Sequence, residues 1–464
     1  MIRKTGNLSS LGTLGVIVSL AWPTMMEQLL HTAVQYIDTA MVGSLGTDAT
    51  AAVGATSTVN WLIGSTISAL GIGFLAYISQ SFGAGAYERA KKASGQAVLT
   101  VLVTGGFFTL LTLLLSGVIP VWMQVDPNIR DLAGRYFFIM YLPMLPRTAS
   151  IIFGTVLRSV GDTKTPMRVG MLVNLINVIL NFAMIFPSRN VTVMGLSFFM
   201  PGAGLGVIGA AIASAVAFTV GGILITCKLW QNESVSPKGI SMKPDFSVLG
   251  PCLRVALPNA LQRFGTSLGY VAFAAMINSL GEVATAAHTI ANTVESAFYI
   301  PGYGMQTAAA TLAGNAYGAR DEERIRKLGK VIIAIEAALM VLSGSLLYIF
   351  APNMLGLFSA DIQVILLGTT VLRMVALSEP FYGVSIIVEG MLQGMGKTAM
   401  PFVCNIIGMW GIRILGTFVC TQLMGMGLVS AWACMIGHNM MLFVMFVWYY
   451  SSGRWKRKEK AKKD

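Results

Sequence analysis

The sequence predicts an all-α integral membrane protein with twelve transmembrane helices in two pseudo-symmetric six-helix bundles. Three observations support this prediction. Of the 464 residues, 55% are hydrophobic and only 11% are charged, whereas soluble domains carry roughly 25% charged residues. A bilayer crossing needs about 20 apolar residues, so the chain length allows twelve crossings with short connections. An internal repeat then divides those crossings into two halves.

Apolar segments of spanning length follow one another along the chain, separated by short polar stretches. We expect crossings at 12–42, 50–80, 94–120, 131–157, 167–187, 205–230, 251–278, 284–314, 329–352, 362–392, 401–424 and 427–450. Pro23 and Pro301 fall inside two of the longer segments. A proline there removes a backbone donor, so we expect these helices to bend.

The two halves of the chain align at a constant offset of 235 residues. The matched pairs are Pro23 with Pro258, AMVGSLG (40–46) with AMINSLG (275–281), ATAA (49–52) with ATAA (284–287), and GDTKTP (161–166) with GKTAMP (396–401). Separated matches at one offset indicate an internal duplication. Because each half has six crossings, an even number, both halves keep the same orientation in the membrane.

The repeat also sets the domain boundaries. Between the halves, the polar sequence WQNESVSPKGISMKPDFS (230–247) resembles a linker. We therefore expect an N-lobe of six helices at 1–235, a cytoplasmic linker at 236–247, a C-lobe of six helices at 248–450 and a basic cytoplasmic tail at 451–464.

The net charge of +12 is distributed in the way that membrane topology requires, not as a nucleic-acid-binding surface. If loops alternate from a cytoplasmic N-terminus, that side receives Arg3, Lys4, Arg89, Lys91, Lys92, Arg158, Lys164, Arg168, Lys228, Lys238, Lys243, Arg320, Arg324, Arg326, Lys327, Lys330, Lys397 and the tail. The opposite side receives only Arg130, Arg135 and Arg189. The positive-inside rule then predicts a multi-pass protein of the inner (plasma) membrane with both termini cytoplasmic. Its partner is the lipid bilayer and not nucleic acid.

Ionisable residues inside the first crossing are the main functional signal, because a charge in the bilayer interior costs at least a few kcal/mol. Glu27 and Asp38 are eleven residues apart and lie within about 20° of one another on a helix. His31 and Gln35 belong to the same stripe, which we expect to face the bundle interior. The competing interpretation is that the stripe only forms hydrogen bonds between helices.

The fifth crossing contributes a face of asparagines, Asn174, Asn177 and Asn181. Their carbonyl oxygens and a carboxylate could together bind a small hard cation, or the carboxylate could bind a proton. Ordinary helix packing is the alternative. No nucleotide-binding loop, metal-ligand cluster or nucleophile elbow appears, so we expect neither an enzyme nor a cofactor.

The repeat shows that the acids of the first crossing are not duplicated. At the fixed offset Asp38 corresponds to Phe273 and Glu27 to Gln262, which favours a task performed in one half only. The other charges inside crossings are balanced in sign, and we expect them to form ion pairs. They are Arg147, Arg254, Arg263, Glu295, Arg373, Glu379, Glu389 and Arg413, with Glu295 the least certain to pair.

The motifs taken together resemble the multidrug and toxic compound extrusion (MATE) family over nearly the whole chain. They are Pro23 followed by YIDTAMVGSLG (36–46), FGAGAYERAKK (82–92), LRSVGDTKTP (157–166), NVILN (177–181) and GVIGAAIAS (206–214). The resemblance implies two six-helix lobes forming a V around a central cavity, with alternating access. It also implies efflux of small organic, often cationic, compounds in exchange for protons or sodium.

The resemblance assigns roles to individual residues. Asp38 matches the first-helix acid of the family's N-lobe cation site, Asn177 and Asn181 match its fifth-helix pair, and Ser214 stands where threonine is common. Pro23 matches a first-helix proline that permits bending. Glu27, His31, Gln35 and Asn174 are accessory or relay candidates, and any metal would be sodium at Asp38.

In the second half the sequence departs from the NorM-type branch, which places acids in the seventh and tenth helices. Gln262 and Tyr382 occupy those positions, so the chain resembles the DinF-like branch more closely. With Glu295, these two residues are candidates for the substrate cavity. We expect a monomeric antiporter. The alternatives are a lipid-linked precursor flippase of the same superfamily, or a passive channel or non-transporting scaffold.

Overall fold

The computed structural model describes residues 12–193 and 196–456, almost entirely as helix. In the first half the helices are α1 (Gly12–Gly43), α2 (Thr47–Gly83), α3 (Tyr87–Leu115), α4 (Ile119–Trp122), α5 (Arg130–Tyr141), α6 (Met144–Ser159), α7 (Lys164–Ile185) and α8 (Gly206–Gln231). Arg3, Lys4 and the tail beyond residue 456 lie outside the described residues.

The second half repeats this order of helices. It contains α9 (Phe246–Asn278), α10 (Glu282–Gly318), α11 (Glu322–Gly356), α12 (Ile362–Ala376), α13 (Glu379–Gly394), α14 (Ala399–Ile406), α15 (Leu415–Phe418) and α16 (Leu428–Ser451). Around α15 the span Ala399–Leu423 includes two π-helical stretches, Ile407–Ile414 and Val419–Leu423.

Each of the twelve predicted crossings coincides with a helix or a bent helix pair. By length and composition, eight of the described spans could cross a membrane, or up to ten if each bent pair is one span. The two remaining predicted crossings are α9 and α10, which are 33 and 37 residues long. The prediction of an all-helical membrane fold with two repeated halves is confirmed.

The fourth crossing of each half is broken, which the sequence analysis did not predict. α5 and α6 meet at an angle of 49°, and α12 and α13 at 53°. Pro143 is the N-cap of α6, and Pro380 lies in the first turn of α13. Because proline cannot donate a backbone hydrogen bond, each helix restarts in a new direction there.

A β-hairpin is a second departure from the prediction. Strands β1 (Pro187–Val193) and β2 (Leu196–Ala203) pair antiparallel between α7 and α8. The segment is rich in valine, threonine and phenylalanine, which pack well on a pleated sheet.

The described chain forms two compact units. Unit 1 comprises residues 12–25, 75–86 and 252–456, and unit 2 comprises residues 26–74 and 87–251. α1 therefore passes from unit 1 to unit 2 between Met25 and Met26. In unit 1, Thr24 Oγ1 donates to the carbonyl oxygen of Gly304 at 2.7 Å, which joins the start of α1 to α10.

The linker packs within unit 2. Lys92 on α3 forms an ion pair with Asp245, and Gln96 Nε2 donates to the carbonyl oxygen of Lys243 at 2.8 Å. The hydrogen bond from Lys92 lowers the pKa of Asp245 to about 2. The linker is therefore attached by side-chain contacts to α3, a helix that is distant from it in the sequence.

Candidate functional site

Four predicted site residues lie together in unit 2. Asn181 Nδ2 donates to Asp38 Oδ1 at 2.6 Å, and the Asn177 amide lies between Asp38 and Ser214. Asn177, Asn181 and Ser214 are 6%, 1% and 8% exposed, and Asp38 is half-buried. α1, α7 and α8 thus bring one carboxylate, two amides and one hydroxyl to a single place.

The orientation of the Asn177 amide follows from its partners. With the amide nitrogen towards Asp38, it donates to Oδ1 at 2.9 Å and to Oδ2 at 3.1 Å, and the amide oxygen accepts from Ser214 Oγ at 3.0 Å. The reverse orientation would place an oxygen against a carboxylate. With the nitrogen towards it, the Asp38 carboxylate accepts hydrogen bonds from both asparagines.

The register between α1 and α7 positions Asp38. A side chain on Gly170 would contact Glu27 at 3.6 Å, and eleven residues later on each helix Asp38 contacts Asn181. The two helices therefore run parallel and in contact through this region.

Glycines on α8 position Ser214. A Cβ on Gly209 would lie 2.4 Å from the carbonyl oxygen of Met184, and one on Gly221 would lie 2.5 Å from Val173 Cγ2. Both neighbours are on α7, so α8 approaches the α7 backbone closely on this face. Ser214 lies between the two glycines and reaches Asn177.

The cluster is rich in oxygen atoms suited to a hard cation. Asn181 Oδ1 is buried and has no hydrogen-bond partner among the described residues. It adds to the two oxygens of Asp38 and to the Ser214 hydroxyl. In residues 12–193 and 196–456, no lysine, arginine or histidine nitrogen lies within 4.0 Å of Asp38. Carboxylate and carbonyl oxygens are the ligands that hard cations prefer.

The other members of the predicted stripe behave differently from Asp38. Glu27 Oε1 forms an ion pair with Arg158 Nη2 of α6 at 2.5 Å, a partner that the sequence analysis did not identify. His31 and Gln35 are exposed, whereas Glu27 and Asp38 are half-buried. Asn174 is half-buried one turn before Asn177.

The second-half candidates all lie in unit 1 but make separate contacts. Gln262 Nε2 donates to Glu389 Oε1 at 2.7 Å. The Tyr382 hydroxyl lies 3.1 Å from that of Tyr303. Glu295 is buried in α10. Their hydrogen bonds do not link these three candidates directly to one another.

The expectation that the other internal charges form ion pairs is wrong for the described residues. None of the eight has an oppositely charged group within 4.0 Å. Arg147 stacks on Phe218 at 4.7 Å from its centroid, and Arg263 Nε donates to Asn259 at 3.0 Å. Balance of sign along the sequence does not specify contact, because the helices that carry the charges are placed by packing of their apolar surfaces.

Glu336 is a buried acid that the sequence analysis missed. It is 0% exposed on α11, and neither carboxyl oxygen has a hydrogen-bond partner among the described residues. Its Oε1 lies against Gly302 of α10 and Gly383 of α13. An ionisable residue in the middle of the apolar run IIAIEAALM (332–340) was a signal that could have found it.

Comparison with known proteins gives a match that follows the repeat. A family model described as MatE matches residues 23–183 and again residues 258–419. The "Probable multidrug resistance protein NorM" of Thermotoga maritima is 27% identical over 442 residues, which cover 95% of this chain and 93% of that protein. The "Probable multidrug resistance protein YoeA" of Bacillus subtilis is 24% identical and covers 94% and 93%.

Solved structures share the fold. "Outward-facing conformation of a multidrug resistance MATE family transporter of the MOP superfamily" superposes with a TM-score of 0.84, at 22% identity, over 95% of this chain and 96% of that one. "Crystal structure of MATE in the bent conformation" gives a TM-score of 0.84 at 22% identity and covers 95% of each chain.

Proposed function

The chain belongs to the MatE family of multidrug efflux transporters, and on that premise we propose that it is a secondary active antiporter. It exports organic compounds, cationic or amphipathic, in exchange for protons or sodium by alternating access. The observation that supports ion coupling is the cluster of Asp38, Asn177, Asn181 and Ser214.

Asp38 can exist in two charge states within this cluster. When it is ionised, both asparagines donate to it, and a bound cation would be held by its oxygens and by Asn181 Oδ1. When it is protonated, those hydrogen bonds weaken, because donation to a neutral acid is weaker than donation to a carboxylate. The contact between α1 and α7 therefore changes strength with the state of Asp38.

Pro23 is the element through which that change reaches the rest of α1. It lies inside α1, two residues before the helix passes from unit 1 to unit 2. The missing backbone donor makes the helix easier to bend at this level. We propose that loading and unloading of Asp38 changes the bend of α1, and that this conformational change alternates access.

The finer assignments are also proposals. Gln262 and Tyr382 stand where NorM-type members have acids, which supports the DinF-like branch, although the Thermotoga maritima relative carries the NorM name. The charge distribution supports an inner-membrane protein with both termini cytoplasmic. In this proposal the protein is a monomer with lobes at 1–235 and 248–450. The flippase alternative is not favoured by any of these contacts.

Transport by the purified protein in proteoliposomes tests the function. The full chain is reconstituted with rhodamine 123, a cationic dye, and proton and sodium gradients are imposed separately. We expect dye flux against its own gradient with one of the two ions and not in the absence of both. Flux that is equal with and without any ion gradient would indicate a passive channel and refute the proposal.

A further inference from the structure

The second half has a cation beside the position that corresponds to the acid of the first half. At the offset of 235 residues Phe273 corresponds to Asp38, and Arg413 corresponds to Val178, next to Asn177. In unit 1 the Arg413 guanidinium lies 4.2 Å from the centroid of the Phe273 ring. The fifth crossing thus contacts the position of Asp38 or its equivalent in both halves, through an amide in the first half and a guanidinium in the second.

Arg413 has lost its contact with water without gaining an acidic partner. Its side chain is 4% exposed, and its Nε has no hydrogen-bond partner among the described residues. No carboxylate lies within 4.0 Å of it in that part of the chain. A guanidinium carries five N–H donors in a planar fork that fits a carboxylate.

The walls around Arg413 are aromatic. Tyr270 lies 4.8 Å from the guanidinium carbon and Phe273 lies 4.2 Å from it, both on α9. On α16, His438 is buried and neither of its ring nitrogens has a partner among the described residues. Two aromatic faces beside a free guanidinium suit a planar aromatic acid.

The local backbone is unusual at this residue. Arg413 lies in the π-helical stretch Ile407–Ile414, and π-helical turns inside α-helices occur frequently at functional sites. Gly408 in the same stretch allows His438 to approach, since a Cβ there would lie 2.4 Å from His438 Cδ2. The extra residue per turn and the glycine together bring the guanidinium and the imidazole into one region.

We propose that Arg413 binds the carboxylate of aromatic organic acids or zwitterions among the exported compounds. The inference rests on the proposed function, because the ligand is taken to be a transported compound. Its carboxylate accepts two parallel hydrogen bonds from the guanidinium, and its ring packs against Tyr270, which is 47% exposed. The second half thereby selects for the negative group of a substrate, which the acid of the first half cannot do.

Binding of two dyes to the full chain in lipid nanodiscs tests this proposal. Rhodamine 110 carries a free aromatic carboxylate, and rhodamine 123 is its methyl ester. In fluorescence polarisation with the wild-type protein, we expect benzoate to displace rhodamine 110 and benzamide not to. Arg413→Met should lower the ratio of rhodamine 110 affinity to rhodamine 123 affinity about tenfold or more, and Arg413→Lys should recover part of it.

Arg373→Met is the matched control, because Arg373 also stacks on a ring, that of Tyr348 at 5.2 Å, but is exposed. It should leave both affinities at wild-type values. Arg413→Met should not lower the thermal midpoint, because removing an unpaired buried charge relieves its desolvation cost. A marked fall in midpoint together with an unchanged affinity ratio would show that Arg413 is structural and overturn the proposal.

The outcomes separate this inference from the proposed function. Failure of wild-type protein to bind rhodamine 110, or equal displacement by benzoate and benzamide, overturns the inference and leaves ion-driven export of rhodamine 123 unaffected. Conversely, absence of ion-driven rhodamine 123 flux, with benzoate-sensitive and Arg413-dependent binding of rhodamine 110, overturns the cation antiporter and supports the anion site.

Discussion

Replacing Asp38 with asparagine separates the ion-coupling role of this residue from a structural one. The substitution keeps the shape of the side chain and removes its charge. Asn177 can accommodate it by reversing its amide: its nitrogen then donates to Ser214 Oγ at 3.0 Å, and its oxygen accepts from Asn181 Nδ2 at 3.2 Å. The same oxygen can accept from the new amide at position 38, so no buried donor is left without an acceptor.

The expected cost in stability is therefore small. Charge-assisted hydrogen bonds contribute about 1.5–3 kcal/mol each and neutral ones about 0.5–1.5 kcal/mol, so the substitution weakens these bonds. The neutral asparagine, however, avoids the desolvation cost of a partly buried charge. The two effects oppose each other, which leaves a net change of about 1 kcal/mol or less. For a chain of this size that shifts the thermal midpoint by about 2 °C or less.

Transport should respond much more strongly than stability. A coupling free energy between ion and substrate is typically about 1–3 kcal/mol, or roughly 5- to 150-fold, and Asp38→Asn should remove it. The assay is the initial rate of ion-driven rhodamine 123 flux in proteoliposomes, with the thermal midpoint followed by circular dichroism. Asp48→Asn, at an exposed aspartate in the first turn of α2, is the matched control and should keep the wild-type rate.

Two results would refute the reasoning. Ion-driven flux at the wild-type rate in Asp38→Asn would mean that this carboxylate does not couple the ion to export. A fall in the thermal midpoint of about 10 °C or more would mean that Asp38 holds the helices together, since the reversal of Asn177 predicts no such loss.

Three further substitutions test other contacts. Ser214→Ala removes the hydroxyl that meets Asn177 and should raise the ion concentration for half-maximal flux about two- to tenfold, whereas Ser214→Thr should not. Glu336→Met should raise the thermal midpoint, because two buried oxygens without partners cost about 1–3 kcal/mol. Lys92→Met should speed tryptic cleavage after Lys238 about two- to fivefold, because it releases Asp245 and with it the linker. The Lys92–Asp245 pair stabilises above the unfolded pKa of 3.8 and is lost as pH falls through about 2, so the protection should not change between pH 5 and pH 8.

Matched variants control for these effects. Glu282→Met removes an exposed acid from the first turn of α10 and should leave the midpoint unchanged. A lower midpoint for Glu336→Met would show that the carboxyl group has a stabilising partner. Lys91→Met removes a lysine whose partner, Glu88, is on its own helix, so its cleavage rate should match wild type. If Lys91→Met and Lys92→Met are cleaved equally fast, loss of the Lys92–Asp245 ion pair is not the cause of the faster cleavage.

Three of the four residues of the candidate site were within reach of sequence reasoning. Asp38 and Glu27 stand out because charges are rare in spanning helices, and the spacing of Asn177 and Asn181 places both on one face. That Ser214 belongs with them came from the family resemblance, because a serine in a run of alanines carries no signal of its own.

The contacts that distinguish one polar residue from another were not predictable in the same way. Glu27 and Asp38 are equivalent on the helix, yet one pairs with Arg158 and the other faces two asparagines. Arg413 and Glu295 have opposite charges and do not meet within 4.0 Å in the described residues. Charge and spacing alone therefore could not assign their partners.

The sequence by itself determined the number and order of the spanning segments and the duplication that relates the two halves. This was possible because bilayer thickness fixes the length of an apolar helix and the repeat keeps a constant offset. Only the tertiary structure decided how each helix is rotated and shifted against its neighbours. Membrane helices are apolar on all faces, so the packing of small residues such as Gly209 and Gly408, and not a hydrophobic stripe, sets their register.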